Sequence, residues 1–318
     1  MSKAHVELSI VVPVYNEAVN LEVLYAALIA VLKETHRAYE IVFVDDGSSD
    51  DTFAVIQRLH ASDNRVRGYS FSRNFGHQIA LFAGLAQSRG EVIISMDGDM
   101  QHPPSMIPTL LAKYEEGYDI VNTKRIDADS TGWFKRQTSR WYYGMLNALS
   151  DVPIEPAAAD FRLMNRKAVD ALNSLPETHR FTRGLVGWMG FRQAIIPYQA
   201  AERHAGQSKY TFFKMLRFGL DGIVSFSVKP LRIAFYTGVL VSMAALLYAV
   251  YAVVQHISGS TVEGWTSILV SVLFIGGVSL LSLGVIGEYI ARIFNEVRRR
   301  PMYFFKDQTE DDGPKEIV

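Results

Sequence analysis

Short apolar, largely β-branched runs recur through the first part of the chain, and each is followed by a longer stretch with helical periodicity. The runs are Ser9–Pro13, Glu40–Val44, Val66–Phe71, Val92–Met96 and Asp119–Thr123. The stretches between them are Glu17–Glu34, Asp51–Ala61, His77–Ser88 and Pro104–Glu116. Runs of this length and composition predict strands, and the stretches predict helices. Their alternation predicts an α/β domain with a mostly parallel sheet and helices on both faces. Ligands of such sheets bind beyond the carboxyl ends of the strands. Polar clusters just after a strand are therefore the places to look for chemistry. Over residues 133–200 the pattern is less regular.

After that the pattern changes. Over residues 210–226, Lys214, Arg217, Asp221 and Ser225 share one narrow stripe of a helix, and Phe212, Phe213, Met215, Leu216, Leu220, Ile223 and Val224 cover the rest. Such a helix either packs on its own domain or lies at a membrane surface. The second reading is preferred because a spanning segment follows directly. Phe235–Val254 and Thr266–Ile286 carry no charge, and about 20 apolar residues cross a hydrocarbon core of about 30 Å. Lys229 and Arg232 precede the first span, Arg292, Arg298, Arg299 and Arg300 follow the second, and the loop 256–264 has no Lys or Arg. The positive-inside rule then predicts a multi-pass protein of the inner (plasma) membrane, with both termini and the large domain in the cytoplasm. Gly238, Ser242, Ala245, Ala249 and Ala252 share one face of the first span. Gly277, Gly284 and Ala291 recur at seven-residue spacing in the second. Small-residue seams let helices approach closely, within a chain or between chains. A homo-oligomer, with a tetramer favoured, is expected through these membrane-proximal helices. The division expected is a domain at 1–208, a surface-helix region at 209–230, two spans within 231–290 and a tail at 291–318.

Composition narrows the functions available. The 318 residues carry a net charge of −1 and no cysteine. No global field draws the chain to nucleic acid, and none is expected as a partner. Disulfides, thiol nucleophiles and Cys-based metal sites are excluded. Met1–Val12 has no long apolar core of a secretory signal and runs straight into a strand. Neither GxGxxG nor GxxxxGK[ST] occurs, so dinucleotide and P-loop readings lose their main support.

Polar clusters follow four of the strands. Pro13-Val14-Tyr15-Asn16-Glu17 ends the first, and Asp45-Asp46-Gly47-Ser48-Ser49-Asp50 ends the second. A carboxylate there suits a nucleobase N–H or a ribose hydroxyl. Asp51 is expected only to cap a helix. Arg73-Asn74-Phe75-Gly76-His77 opens a helix, where an arginine suits a phosphate or a sugar hydroxyl. Asp97-Gly98-Asp99-Met100-Gln101-His102 follows the fourth strand. Its two carboxylates and amide suit a hard divalent cation, Mg²⁺ or Mn²⁺, bridging to a diphosphate. Asp160, after Ala157-Ala158-Ala159, is an acid in apolar surroundings that needs a partner such as Arg162. Arg203 and Gly206-Gln207-Ser208-Lys209-Tyr210 put cations and hydroxyls before the surface helix, where a lipid phosphate or anionic lipid would sit.

In this order the clusters resemble those of family 2 glycosyltransferases of the GT-A (Rossmann-like) fold, over about residues 7–210. The two-span tail resembles that of the polyprenyl-phosphate subgroup, which includes bactoprenol glucosyltransferases and, more distantly, dolichol phosphate mannose synthases. The resemblance implies that Pro13, Tyr15, Glu17 and Asp46 contact the nucleotide, with Asp45 and Arg73 beside them. It implies a metal and diphosphate site at Asp97, Asp99 and Gln101, and a donor-phosphate or sugar contact at Arg125. Asp160 falls at the family's catalytic acid. Arg203 and Lys209 are expected at the lipid phosphate. The function implied is inverting transfer of a sugar, glucose from UDP-glucose, from a nucleotide-sugar donor to polyprenyl (undecaprenyl) phosphate. A processive polysaccharide synthase and a mannose transferase using GDP-mannose are the rival enzymes, and an inactive nucleotide-sugar-binding module is the rival of another class. Gln137-Thr138-Ser139-Arg140-Trp141 spells the QxxRW of processive synthases but precedes Asp160 instead of following it, so it is read as chance. Whether Asp160 removes a proton or positions the substrates stays open at this point.

Overall fold

The structure, a computed structural model, describes residues 5–126, 137, 144, 158–178, 180, 182–199, 227–258 and 264–309. Strands β1 (Leu8–Val14), β2 (Tyr39–Asp45), β3 (Val66–Phe71), β4 (Val92–Ser95) and β5 (Ile120–Ile126) stand where the apolar runs predict them. Helices α1 (Ala18–Glu34), α2 (Thr52–Ser62), α3 (His77–Gln87) and α4 (Ile107–Glu115) lie between them, α4 entered through a 3₁₀ turn at Pro104–Met106. Every residue of β1, β2, β3 and β4 is buried, because helices cover both faces of the sheet. That is why these strands read as continuous apolar runs and not as alternating ones.

The less regular region supplies β6 (Ala158–Asn165), α5 (Arg166–Asn173), α6 (Thr182–Trp188) and β7 (Gln193–Gln199). With β8 (Phe305–Gln308) the sheet has eight strands in the order β7-β5-β6-β4-β1-β2-β3-β8. The expectation of a mostly parallel sheet needs one adjustment. β6 runs antiparallel to both β4 and β5, and β8 runs antiparallel to β3. The beginning of β6 therefore lies at the sheet edge where β4 ends. Beyond the last β4 partner, Val11↔Ser95, β1 continues beside β2 as far as Val14↔Asp45. Pro13, which has no N–H to donate, falls in that unshared stretch. The loops that follow β1 and β4 start here and bound the cleft at the carboxyl end of the sheet.

Two apolar layers hold the sheet. Leu21, Leu24, Leu28 and Leu32 of α1 line one face with Ile56 and Leu110, at the three- and four-residue spacing of a helix stripe. Ala80, Leu81 and Leu85 of α3, Val169 and Leu172 of α5 and Leu185 of α6 line the other. Truncating a leucine in such a layer to alanine costs about 2–5 kcal/mol.

Helices α7 (Lys229–Ile257) and α8 (Trp265–Arg298) extend beyond the apolar runs read from the sequence. The most apolar 18-residue windows within Lys229–Gln255 and Val270–Arg298 have mean hydropathies of 2.1 and 2.2, and neither window is buried inside the protein. Both are long and apolar enough to cross a membrane. A Cβ added at Gly238, Gly277 or Gly284 would meet no atom within 4 Å, so these glycines do not serve a close approach of α7 to α8. The surface-helix stretch 210–226 lies outside the described residues.

The segment after α8, expected only as a tail, enters the sheet. β8 pairs with β3 through Tyr69↔Gln308 and Ser70↔Asp307. Tyr303 stacks on Phe71, and Phe305 lies against Tyr69, both at centroid distances of 5.0 Å. At the end of α8, Glu296 accepts hydrogen bonds from the Thr178 N–H (2.9 Å) and hydroxyl (2.8 Å), and Tyr289 donates to the Ser227 carbonyl (2.6 Å). The α8 end and β8 are therefore packed with the sheet domain.

Replacing Phe305 by alanine is expected to destabilise the domain by about 1–3 kcal/mol, less than a fully buried phenylalanine because Phe305 is half-buried. Thermal unfolding in detergent checks this. An unchanged Tm would show that β8 does not hold the sheet edge.

Candidate active site

The loops after β1 and β2 are tied to each other. The Asn16 N–H donates to Ser48 Oγ (2.8 Å), the Ser49 N–H donates to Asn16 Oδ1 (2.9 Å), and the Glu17 N–H donates to Thr52 Oγ1 (2.9 Å). Asn16 has a φ of 55°, in the left-handed region that asparagine tolerates. Tyr15 is 47% exposed at the cleft. Glu17 accepts a bond from Asn20 Nδ2 on the first turn of α1. Asp51 stands at the N-cap of α2 but makes no cap bond with its side chain; Asp50 Oδ1 takes the Thr52 N–H instead, at 3.0 Å. The cap expected at Asp51 is thus one residue earlier, because only Asp50 reaches back over the first turn.

Asp45 and Asp46 are both buried. Asp45 accepts from the Ser48 N–H (3.0 Å) and the Ser70 hydroxyl (2.7 Å). Asp46 accepts from the N–H groups of Phe75 (2.7 Å) and Gly76 (3.0 and 3.1 Å). Burial raises the Asp46 pKa; those two N–H groups and His77 oppose it, and Asp45 adds to it. Both acids are engaged by the protein's own groups, and Asp46 fixes the loop that carries Arg73. Gly47 makes this approach feasible: it has a φ of 69°, and a Cβ would lie 2.4 Å from the Arg73 carbonyl carbon. Arg73 is exposed, its guanidinium 4.1 Å from the Phe75 ring centroid.

Asp97 emerges where β4 ends. Its N–H donates to His102 Nδ1 (2.9 Å), which assigns the imidazole proton to Nε2, 3.7 Å from Asp97 Oδ2. The His102 ring is buried and stacks on Phe161 at 5.1 Å, so the sequence's His102-Pro103-Pro104 continuation braces the acidic loop from below. Asp99 Oδ1 accepts from the Gln101 N–H (3.1 Å), and Gln101 Oε1 accepts from Arg125 at 3.4 Å. Met100 between them has a φ of 65°, a conformation that costs a non-glycine residue about 1–3 kcal/mol and concentrates at functional loops.

Asp97 Oδ1 is sealed from solvent and accepts no hydrogen bond, although the side chain as a whole keeps 35% exposure. His77 Nε2 lies 3.3 Å from it, near enough for an ion pair but not aligned as a donor. Burial pushes the Asp97 pKa up; His102 and His77 pull it down, while Asp160 and Asp99 push it further up. A desolvated carboxylate oxygen without a donor, beside a second carboxylate, fits a hard cation. Among the described residues no three His, Asp or Glu side chains gather to hold a metal alone. Asp97 and Asp99 would supply two ligands, and the remainder would come from substrate oxygens and water.

Asp160 opens β6 and faces the same cleft because β6 runs against β4. The Ser95 hydroxyl holds its carbonyl (2.6 Å). Its carboxylate is held at both oxygens: Arg162 Nη2 donates to Oδ1 (3.2 Å) and Gln78 Nε2 to Oδ2 (3.0 Å). Gln78 is itself held by the Thr182 hydroxyl, which donates to Oε1. Arg183 Nε stands 3.9 Å from Oδ1 and His77 Nε2 stands 3.8 Å from Oδ2. Burial by itself would raise the Asp160 pKa; Arg162, Arg183, His77 and the Gln78 amide together reverse it and hold the group below its ordinary value. Asp160 is an anion throughout the neutral range.

The structure thus brings together Asp97, Asp99, Gln101, Arg125 and Asp160 of the expected residues. His77, of the cluster after β3, and Arg162, the partner expected for Asp160, join them. The structure adds Gln78, Thr182 and Arg183, and Asp45 and Asp46 are buried. Arg203 and Lys209 lie outside the described residues. His77 and Gln78 carry a readable signal, since they open a helix after a strand. Thr182 and Arg183 sit in the irregular region, where no pattern marks them.

Comparison with known proteins finds similarity over nearly the whole chain. Residues 9–172 match the family model described as glycosyl transferase family 2, and residues 229–293 match the GtrB C-terminal hairpin. A bactoprenol glucosyl transferase of Shigella flexneri, derived from prophage SfII, is 42% identical over 301 residues, covering 94% of this chain and 97% of that protein. An uncharacterized glycosyltransferase of Synechocystis is also 42% identical, covering 95% of each chain. Among solved structures, mannosyl-3-phosphoglycerate synthase from Rubrobacter xylanophilus is 18% identical, with a TM-score of 0.46 over 68% of this chain and 71% of that one. The chain belongs to glycosyl transferase family 2: it is a glycosyltransferase with a GT-A-type sheet and a GtrB-type C-terminal hairpin.

Proposed function

We propose that the protein transfers glucose from UDP-glucose to polyprenyl (undecaprenyl) phosphate with inversion at the anomeric carbon. The observation that carries this reading is the near full-length similarity to a bactoprenol glucosyl transferase, which extends through the hairpin as well as the sheet domain. The geometry supports it. An acidic pair for a diphosphate and a separate anion, Asp160, share one cleft at the carboxyl end of the sheet. The Glu296 bonds to Thr178 and the pairing of β8 with β3 tie that domain to the membrane hairpin, so a lipid-borne acceptor meets a site of fixed height.

Mg²⁺ or Mn²⁺, held by Asp97 and Asp99, would neutralise charge on the donor diphosphate. Arg125, bonded to Gln101, stands ready for the same diphosphate. An oxygen lone pair of the acceptor phosphate forms the new bond to the anomeric carbon. The bond from that carbon to the diphosphate oxygen breaks, and its electron pair leaves with the nucleotide. A phosphate monoester with a second pKa near 6 is mostly dianionic at neutral pH, so no base is needed. We assign Asp160 to positioning and electrostatics. Arg162 and Gln78 already use its oxygens, and a fixed anion stabilises positive charge as it grows on the sugar ring.

Purified protein in lipid nanodiscs, offered UDP-glucose, UDP-galactose and GDP-mannose with undecaprenyl phosphate, is expected to make a hexosyl-phospholipid from UDP-glucose. Excess EDTA should abolish the product and Mg²⁺ or Mn²⁺ restore it, as read by mass spectrometry. Absence of a lipid product with any donor contradicts the function, and full activity in EDTA contradicts the metal.

Asp160→Asn is expected to lower turnover about 10²–10³-fold and to leave donor affinity nearly unchanged. It should also lower Tm, because buried Arg162 loses its counter-ion. Donor affinity measured on the folded variant keeps the two effects apart. Normal turnover would reduce Asp160 to a structural ion-pair partner.

We propose that the sheet domain and both termini are cytoplasmic, from the Lys and Arg asymmetry about the spans. The chain has no cysteine, so a single Cys at Ser260 reports alone. It should react with an impermeant maleimide added to intact cells. Labelling only after lysis would reverse the orientation.

A further inference from the structure

Asp160 faces more positive charge than it needs. Its two oxygens are occupied by Arg162 and Gln78, yet a second guanidinium, Arg183, stands at the same carboxylate. The two arginines differ in kind. Arg162 has 1% side-chain exposure and donates at 3.2 Å. Arg183 has 31% exposure, stops at 3.9 Å, and donates no hydrogen bond to any described residue. Its place is nonetheless fixed, because the preceding residue, Thr182, is bonded to Gln78 and through it to Asp160. One carboxylate and two guanidiniums leave one positive charge at this wall of the cleft.

We propose that Arg183 receives the phosphate of the acceptor, a prenyl monophosphate. This rests on the reading of the protein as a polyprenyl-phosphate glycosyltransferase. The attacking phosphate is a dianion and must approach a donor diphosphate across a cleft that already holds Asp97, Asp99 and Asp160. Like charges at these distances repel unless a cation stands on the acceptor's side. Among the described residues Arg183 is the partly exposed guanidinium at the Asp160 carboxylate, and a planar guanidinium matches phosphate oxygens in pairs. The contact also favours turnover. Transfer converts the dianionic monoester into a monoanionic diester, so Arg183 holds the product less tightly than the substrate. Arg203 and Lys209, expected at the lipid phosphate, would act alongside it.

The test compares wild type, Arg183→Ala and Arg183→Lys in nanodiscs at varied undecaprenyl phosphate. A parallel arm measures binding of a short prenyl monophosphate to the UDP-loaded protein by calorimetry. Arg183→Ala should raise the KM for lipid phosphate about ten- to hundredfold. It should weaken prenyl monophosphate binding to a similar degree, with UDP-glucose affinity unchanged. Arg183→Lys should recover part of the loss. An unchanged acceptor KM, or an equal loss of donor and acceptor affinity, overturns the proposal, since Arg183 would then only support Asp160. If wild type makes no glycolipid but binds prenyl monophosphate in an Arg183-dependent way, the transfer reading fails and the phosphate site stands.

Discussion

Keeping the Asp160 carboxylate charged where little water reaches it is the constraint on which the site depends. An isolated buried carboxylate would take up a proton. Here Arg162, from the same strand, and Gln78, from the start of α3, supply the donors that water would have given. That requirement reaches into the fold. β6 must run against β4 for Asp160 to face the cleft, α3 must begin at the loop pinned by Asp46, and α6 must dock so that Thr182 holds Gln78. Removing one partner of such a pair typically costs about 3–5 kcal/mol, because the other charge is left uncompensated. The acidic pair at the end of β4 is the counterpart. Asp97 has an oxygen that accepts no hydrogen bond, with His77 3.3 Å away, which leaves it suited to a cation.

The second constraint follows from the proposed acceptor. A prenyl phosphate would present its charged group at the headgroup level of a membrane, so the cleft would have to be held near the ends of the two apolar helices. Glu296 and Tyr289 near the end of α8 bond to the sheet domain or to the chain entering α7, and the chain then returns as β8. Strand pairing and the Tyr303–Phe71 stacking make the hairpin part of the catalytic domain's own packing. A domain joined to its spans through a loose linker would leave that height undefined.

Much of this was legible in the sequence. The buried strands β1 to β5 read as apolar runs because both of their faces are covered, and the acidic loop declared itself by its place after β4. Other parts were not legible, for physical reasons. β8 is Phe305-Lys306-Asp307-Gln308, too short and polar to show a period, and its partner β3 lies across both spans in the chain. The direction of β6 is a tertiary fact that composition does not encode. Asp45 and Asp46 are expected from the sequence at the nucleotide; the protein groups that hold them, Ser48, Ser70, Phe75 and Gly76, come together only in the fold. Arg183 carries no motif and gains its meaning from a neighbour's bond to Gln78.

The central claim is that sugar transfer takes place between the Asp97–Asp99 pair and the fixed Asp160 anion. A structure of the protein in nanodiscs with Mn²⁺ and a non-hydrolysable UDP-glucose analogue tests it most directly. The account predicts the diphosphate at Asp97 and Asp99, Arg125 on its oxygens, and the anomeric carbon turned towards Asp160 with the Arg162 and Gln78 bonds intact. A donor bound with its sugar directed away from Asp160, or a diphosphate seated clear of Asp97, would contradict it.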